Sequence, residues 1–276
     1  VRVSGIRLIS YRHLRPADRG PGGAEEGMRI STFNPKNRIG LHMLTYERES
    51  PEDVARWLDV LHGVVDAVVL VWTGAPELST DHEIARSLVA RSHGAVVHDH
   101  PLDSNLAAAR NAGIDVLEAA GVDRALFFDP DEWLPSPTAD VRALRRMAES
   151  TRLGWLVQVA NYTEGGPPTI SDSIRMSAIK LRQNGRVHES FGDAIQAQQA
   201  AGVAPRIGYA PFLLQHRGMA LGAVRTAEKL DQYEALLRLE LAEHPENCGA
   251  WVSLGWHYAN DGHQEHAEEC FRRAVE

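Results

Sequence analysis

Residues Ile39-Gly40-Leu41-His42-Met43-Leu44-Thr45 form a short, mostly apolar run, and Ser50-Pro51-Glu52-Asp53 follows with an N-cap, an N1 proline and first-turn acids. That order predicts a strand and then a helix. Val54, Trp57, Leu58, Leu61 and Val65 recur on one helical face, and Val68-Val69-Leu70-Val71 reads as a fully buried strand. A second helix is predicted from about Thr80 to Ser92, closed by Gly94 and followed by the strand Ala95-Val96-Val97-His98. A third, from Asn105 to Ala120, ends at Gly121 and delivers the chain into Ala125-Leu126-Phe127-Phe128. Strands alternating with helices predict an α/β domain with a mostly parallel sheet, whose ligands bind at the C-terminal ends of the strands.

Beyond Pro135 the alternation loosens. The pattern predicts a helix near 138–149, a strand near Gly154 to Val159, and two further strands joined as a hairpin around Asn184-Gly185. A last strand near Phe212 to His216 leads into a helix from about Ala223 to Glu243, and the remainder is helical. Three segments are expected: an irregular arm over 1–38, an α/β domain over 39–221 and an all-α segment over 222–276. In the last segment Trp251, Leu254, Gly255, Tyr258, Gly262, Ala267, Phe271 and Ala274 fall on signature positions of the tetratricopeptide repeat, a unit of about 34 residues. Pro245 falls on the closing proline of a preceding, degenerate repeat. So few helices cannot bury a solenoid core alone, so they must lean on the main domain, on a second subunit in a homodimer, or on further repeats.

Charge and cysteine content narrow the function classes. With 37 acidic against 29 basic side chains the net charge is −8, which gives nucleic acid or an anionic membrane no long-range attraction. The two cysteines, Cys248 and Cys270, lack a C-x-x-C spacing, which argues against a disulfide framework or a zinc site and for a reducing, cytoplasmic setting. No apolar run approaches the roughly 20 residues needed to span a bilayer, and no leader pattern follows Val1.

Asp129-Pro130-Asp131-Glu132 places three carboxylates at the end of a predicted buried strand. Hard cations prefer oxygen ligands of this kind, and Mg²⁺ or Mn²⁺ there suits a diphosphate. An acidic turn capping the next helix is the plainer alternative. A D-x-D phosphatase is disfavoured because the motif comes late and runs into Glu132-Trp133. A sugar nucleotidyltransferase is disfavoured because Leu44 to Glu49 has no glycine for a phosphate loop.

Five pieces in order carry a resemblance: Leu44 to Glu49, Ala109-Arg110-Asn111-Ala112-Gly113-Ile114, Phe128 to Leu134, Val187-His188-Glu189-Ser190, and Gln215-His216-Arg217-Gly218. With the repeat signature, the chain resembles family 2 glycosyltransferases of the GT-A fold, in the bacterial subgroup that carries tetratricopeptide repeats. The resemblance implies a nucleotide-diphosphate sugar donor, Mn²⁺ or Mg²⁺, inverting transfer, and a peptide, protein or glycan acceptor. It implies Asp131 as a metal ligand, Asp129 at the metal or ribose, and His216 completing the metal site. Tyr46 and Glu47 then line the nucleobase and ribose pocket, and Arg110 sits near the donor, with a surface arginine as its alternative. Glu189 is the implied general base, in competition with Glu132 and Asp193, and His188 orients the acceptor.

One departure stands out. After the second strand the subgroup carries an acid and then Thr-Gly-Ser-Thr-Asp, whereas here Trp72-Thr73-Gly74 precedes an insertion before Ser79-Thr80-Asp81. Trp72 therefore either stacks on a nucleobase or is a core tryptophan. The competing reading is a non-catalytic scaffold that binds peptides through its repeat and keeps a vestigial transferase domain.

Overall fold

A computed structural model describes residues 37–45, 51–74, 87, 95–100, 105–163, 167–186, 191–219 and 223–276. All but the last two residues of the predicted arm, and most of the predicted 80–92 helix, lie outside these residues. The elements run β1 (Ile39–Thr45), α1 (Pro51–Val60), β2 (Ala67–Trp72), β3 (Val96–Asp99), α2 (Leu106–Ala119), β4 (Arg124–Phe127) and β5 (Glu132–Trp133). They continue with α3 (Pro137–Ala148), β6 (Gly154–Thr163), β7 (Thr169–Ala178), α4 (Gly192–Ala200), β8 (Ile207–Met219), α5 (Ala223–Glu243), α6 (Cys248–Asn260) and α7 (Gln264–Arg273).

The strands form one 8-stranded sheet in the order β3-β2-β1-β4-β7-β6-β8-β5. β3, β2, β1 and β4 are mutually parallel, as the alternating pattern predicts, and β7 joins β4 antiparallel. Helices cover both faces, so β1, β2 and β4 are buried on both sides and alternate between two cores, while β3 at the sheet edge is half-buried. Ile39, Leu41 and Met43 of β1, Val68 and Leu70 of β2, and Leu126 pack with α1 and α3. Val69, Val71, Ala125 and Phe127 pack with α2 and Phe191 instead.

Two glycines set how closely α2 lies on the sheet. A Cβ on Gly40 of β1 would stand 2.6 Å from Leu117, and one on Gly113 of α2 would stand 2.2 Å from His42 Nε2. The helix starts where the sequence places it, with the Asn105 side chain accepting from Ala108 N–H, and stops at Gly121 with φ +72.

The hairpin expected at Asn184-Gly185 would place its second strand in residues 187–190, which lie outside the described residues. β7 lies between β4 and β6 and pairs antiparallel with both, and within 181–186 only Asn184 has a strand-type bridge. Gly185 takes a positive φ of 92, and the residues on either side of it bond to α2. Asn111 holds Gln183 through two hydrogen bonds of 2.8 Å, and Leu106 N–H donates to the Arg186 carbonyl.

The C-terminal helices have their own small core of Leu237, Leu241, Ala250, Leu254 and Cys270. α6 and α7 approach closely at Gly255, where a Cβ would meet the Phe271 ring at 2.7 Å. Arg186 joins this segment to the sheet domain by a bidentate contact with Glu243 at 2.5 and 2.6 Å. Among the described residues no helix is long and apolar enough to cross a membrane.

Candidate active site at the end of β4

β4 ends at Phe127, and the chain leaves the sheet through Phe128 into Asp129-Pro130-Asp131-Glu132. This is the C-terminal end of the parallel strands, the edge where sheets of this type hold ligands. The turn is braced from below by α1. Trp57 Nε1–H donates to the Asp129 carbonyl at 3.0 Å, and Arg56 donates to the carbonyls of Pro130 and Glu132 at 3.2 and 3.1 Å. The main-chain direction of the loop is thus fixed by residues outside it.

The three acids have different surroundings. Asp129 Oδ1 accepts from Arg110 at 2.6 Å and Oδ2 from Arg175 at 3.3 Å. Burial alone would raise the Asp129 pKa, but the two guanidiniums hold it well below the usual carboxylate range. Glu132 is fully buried, accepts the Asp129 N–H at 2.9 Å through Oε2 and pairs with Arg175 through Oε1. Burial, opposed by Arg175 and reinforced by the Asp129 charge, pushes Glu132 up to about 7. With no exposed surface and both oxygens engaged, Glu132 is placed as a brace for the loop.

Asp131 faces the other way. β5 pairs antiparallel with β8 in a register that sets His216 opposite Glu132, and Arg217 N–H donates to the Asp131 carbonyl at 3.2 Å. His216 Nε2 then lies 3.2 Å from Asp131 Oδ2, and its Nδ1 lies 2.8 Å from Asn161 Oδ1 on β6. With Nδ1–H donated to Asn161, Nε2 is the nitrogen directed at the carboxylate, the second-partner arrangement common for imidazoles that bind metal. Burial disfavours a charge on His216, but the hydrogen bond and charge of Asp131 outweigh it, so its pKa lies above the ordinary value.

Arg110 is not on the helix surface. It is 5% exposed on α2, and its own carbonyl bonds His42 Nε2 at 3.0 Å while its guanidinium approaches His42 Nδ1 at 3.4 Å. Burial, together with the Arg110 charge, lowers His42 to about 3, so the imidazole is neutral and serves as a spacer between β1 and α2.

Arg175 was missed by sequence reasoning. β6 and β7 slip by one residue between Trp155 and Leu156, where Trp155 faces Met176 and Leu156 faces Ile174. Arg175 is the extra residue of that bulge, and bulges re-aim side chains beside functional sites. A lone arginine in a polar strand gives no signal of this in the sequence.

Trp72 is 4% exposed at the end of β2, packed as a core tryptophan, and presents little surface to a base. Tyr46, Glu47, His188 and Glu189 lie outside the described residues. The structure therefore brings together Asp129, Asp131, Glu132, Arg110 and His216, and adds Arg175 and Asn161. Among the described residues no group of three or more His, Cys, Asp and Glu side chains meets as a metal site. Asp131 and His216 stand as a pair of donors, one oxygen and one nitrogen.

No protein-family model and no curated protein matches the chain. Among solved structures it is similar to glucosyl-3-phosphoglycerate synthase from Mycobacterium tuberculosis in complex with Mn²⁺, UDP and glucosyl-3-phosphoglycerate, at 15% identity and a TM-score of 0.46, over 74% of this chain and 79% of that one. The same synthase with Mg²⁺ and UDP gives 14% identity and a TM-score of 0.44 over 74% and 79%. S. aureus TarS 1–349 in complex with UDP gives 13% identity and a TM-score of 0.43 over 85% and 90%. Identity this low transfers no residue role between chains.

Proposed function

We propose that the chain is a glycosyltransferase of GT-A type that moves a sugar from a nucleotide-diphosphate donor with the help of Mn²⁺ or Mg²⁺. The observation that carries this is the 3.2 Å meeting of Asp131 and His216 at the C-terminal edge of the parallel strands, beside an arginine-clamped Asp129. Mg²⁺-type sites use one or two protein ligands and leave the remaining positions to water and substrate phosphates, so a two-donor pair fits the chemistry. When bound, the cation would neutralise charge on the diphosphate leaving group.

The protein's own contribution is positioning. Asp131 and His216 would hold the cation, with Asn161 fixing the imidazole. Asp129 has one guanidinium on each oxygen, Arg110 and Arg175, so it orients those cations, and they in turn offer positive charge to the donor. Glu132 keeps the loop closed from beneath. Glu189 is assigned as the base that takes the acceptor proton in an inverting transfer, and His188 as a residue that orients the acceptor. The C-terminal helices are assigned as a tetratricopeptide-type segment that presents a peptide or protein acceptor, supported by Val252 and Trp256, 39% and 60% exposed on successive turns of α6.

The test is calorimetric binding of a panel of nucleoside diphosphates with Mn²⁺ and with chelator. Asp131→Ala is expected to weaken Mn²⁺-dependent binding on the order of 100-fold, the upper end of what a supporting partner contributes to a metal site. Binding that ignores both the chelator and the substitution would remove the proposal.

A further inference from the structure

Asp53 reads in the sequence as a first-turn acid of α1, but its side chain reaches further than its own helix. Asp53 Oδ1 accepts from Arg56 Nη1 at 2.6 Å and from Arg217 Nη2 at 3.4 Å. Arg56 Nη2 in turn donates to the carbonyls of Pro130 and Glu132, at 3.2 and 3.1 Å, on either side of Asp131. Arg217 follows His216 directly in β8. One carboxylate oxygen of α1 is therefore tied both to the loop that carries Asp131 and to the strand that carries His216.

Backbone pairing alone holds these two carriers together weakly. β5 is two residues long and meets β8 at two positions, Glu132 opposite His216 and Trp133 opposite Gln215, with one more bond from Arg217 N–H to the Asp131 carbonyl. Each such bond contributes little net, so side chains must supply the rest. Glu132 and Leu134 are buried and anchor β5 from within. Trp133, between them, is half-buried, with the Arg217 guanidinium 5.0 Å over its ring and the Tyr162 ring near-parallel to it at 6.0 Å. A cavity of about 340 Å³ has Arg56, Trp133 and Arg217 in its lining, so close packing does not fix them from that side. The ion pairs and the ring contact carry that task. With side chains 24% exposed at Asp53 and 51% at Arg217, the tie is modest and sensitive to salt.

We infer that Asp53 is a positioning residue for the cation pair: through Arg56 and Arg217, with Trp133 as the surface on which Arg217 rests, it sets the span between Asp131 and His216. The inference rests on the proposed role of that pair as the cation site, and it adds a residue of α1, outside the pair's own elements, that tunes it. Ions of the Mg²⁺ type demand near-ideal ligand geometry, so a small drift between the two donors lowers affinity.

The experiment measures, by calorimetry on the full chain, how much Mn²⁺ strengthens binding of the best-bound nucleoside diphosphate among UDP, GDP, ADP and dTDP. Asp53→Ala and Arg217→Met are each expected to reduce that gain about threefold to fivefold at low salt, the worth of a partly exposed ion pair, with nucleotide affinity in chelator unchanged. In a His216→Ala background no span is left to set, so Asp53→Ala is expected to change nothing further there. A gain that survives both Asp53→Ala and Arg217→Met overturns the inference and leaves the transferase proposal standing. A loss that appears equally in chelator, or that persists in the His216→Ala background, also overturns it, since Asp53 would then act through the fold. If His216→Ala alone keeps the full gain, the cation pair is removed and the inference falls with it. No nucleoside diphosphate binding to the unaltered chain sinks the transferase proposal and this inference together.

Discussion

Gly113→Ala separates helix propensity from packing at the centre of the molecule. In an isolated helix the change would stabilise by about 1 kcal/mol. Here the new methyl would stand 2.2 Å from His42 Nε2, 2.5 Å from its Cδ2 and 2.6 Å from Val71 Cγ2. Carbon contacts settle at about 3.5–4.0 Å, so α2 must lift off the sheet or His42 must turn away. Overpacking of this kind costs about 1–3 kcal/mol. Turning His42 also breaks its 3.0 Å bond to the Arg110 carbonyl and strands a buried ring nitrogen, a further loss of about 1–3 kcal/mol. After the propensity gain is subtracted, a net loss of about 3 kcal/mol is expected, or a melting temperature lower by about 6–12 °C for a domain of this size. Urea and thermal melts followed by tryptophan fluorescence measure it. Adding His42→Ala removes two of the three clashing atoms, so the same glycine change should cost at least about 1 kcal/mol less in that background. A Gly113→Ala protein as stable as the parent would refute the seating of α2 on β1 and β2. It would also refute the path by which Arg110 reaches Asp129.

Other substitutions test the charge network. Arg175→Met is expected to destabilise by about 3–5 kcal/mol at pH 8, because it leaves buried carboxylate charge unpaired. The loss should shrink at pH 5, where Glu132 takes up a proton instead, and equal losses at both pH values would contradict the pairing. Acid dependence carries a second signature. His42 is neutral when folded, with its pKa lowered from 6.5 to about 3, so it binds its proton only on unfolding and acid lowers stability across that window. Glu132, raised from 4.5 to about 7, keeps a proton in the folded chain that the unfolded chain has released, so over that window acid raises stability. The two effects oppose between 4.5 and 6.5. Glu132→Gln should unmask the histidine, and relative to the parent its stability should fall by an additional 1.4 kcal/mol, roughly, per pH unit of acidification there. Parallel pH profiles of parent and variant in chelator would show that one of these groups is not buried as described.

The parallel half of the fold was legible because its rules are local. Alternation between the two cores is written into residues 39–43 and 68–71 as continuous apolar runs, and the α2 boundaries are written as Asn105 and Gly121. The antiparallel half was harder to read. Asn184-Gly185 satisfies the turn rule and Gly185 has the positive φ the rule expects, while the backbone of Gln183 and Arg186 on either side bonds to Asn111 and Leu106, far away in sequence. A dipeptide signal reports the bend and cannot report the partner. The site divides in the same way. Asp129, Asp131 and Glu132 announce themselves by spacing, and Arg110 and His216 by resemblance to a family pattern. Arg175 and Asn161 act only through a bulge and a strand register, neither of which leaves a mark in composition or period.

The network also explains why three adjacent carboxylates need not act alike. Left together in water they would repel one another and bind a cation indiscriminately. Instead the β6–β7 bulge sends Arg175 across Asp129 and Glu132, and α2 sends Arg110 to Asp129, so two of the three charges are consumed within the protein. The β5–β8 pairing turns Asp131 away from that cluster and towards His216. In the proposed function what is left for a cation is one carboxylate and one imidazole, which would make a weak site alone and a stronger one when a diphosphate supplies further oxygens. Metal affinity should therefore depend on the nucleotide far more than on the empty protein. Mn²⁺ titrated into the free chain is expected to bind at least tenfold more weakly than in the presence of a nucleoside diphosphate that the chain recognises. Because the coupling is reciprocal, the nucleotide should gain the same factor from the metal. Equal Mn²⁺ affinity with and without nucleotide would mean that a further protein ligand completes the site, and the division of labour among the three acids would have to be redrawn.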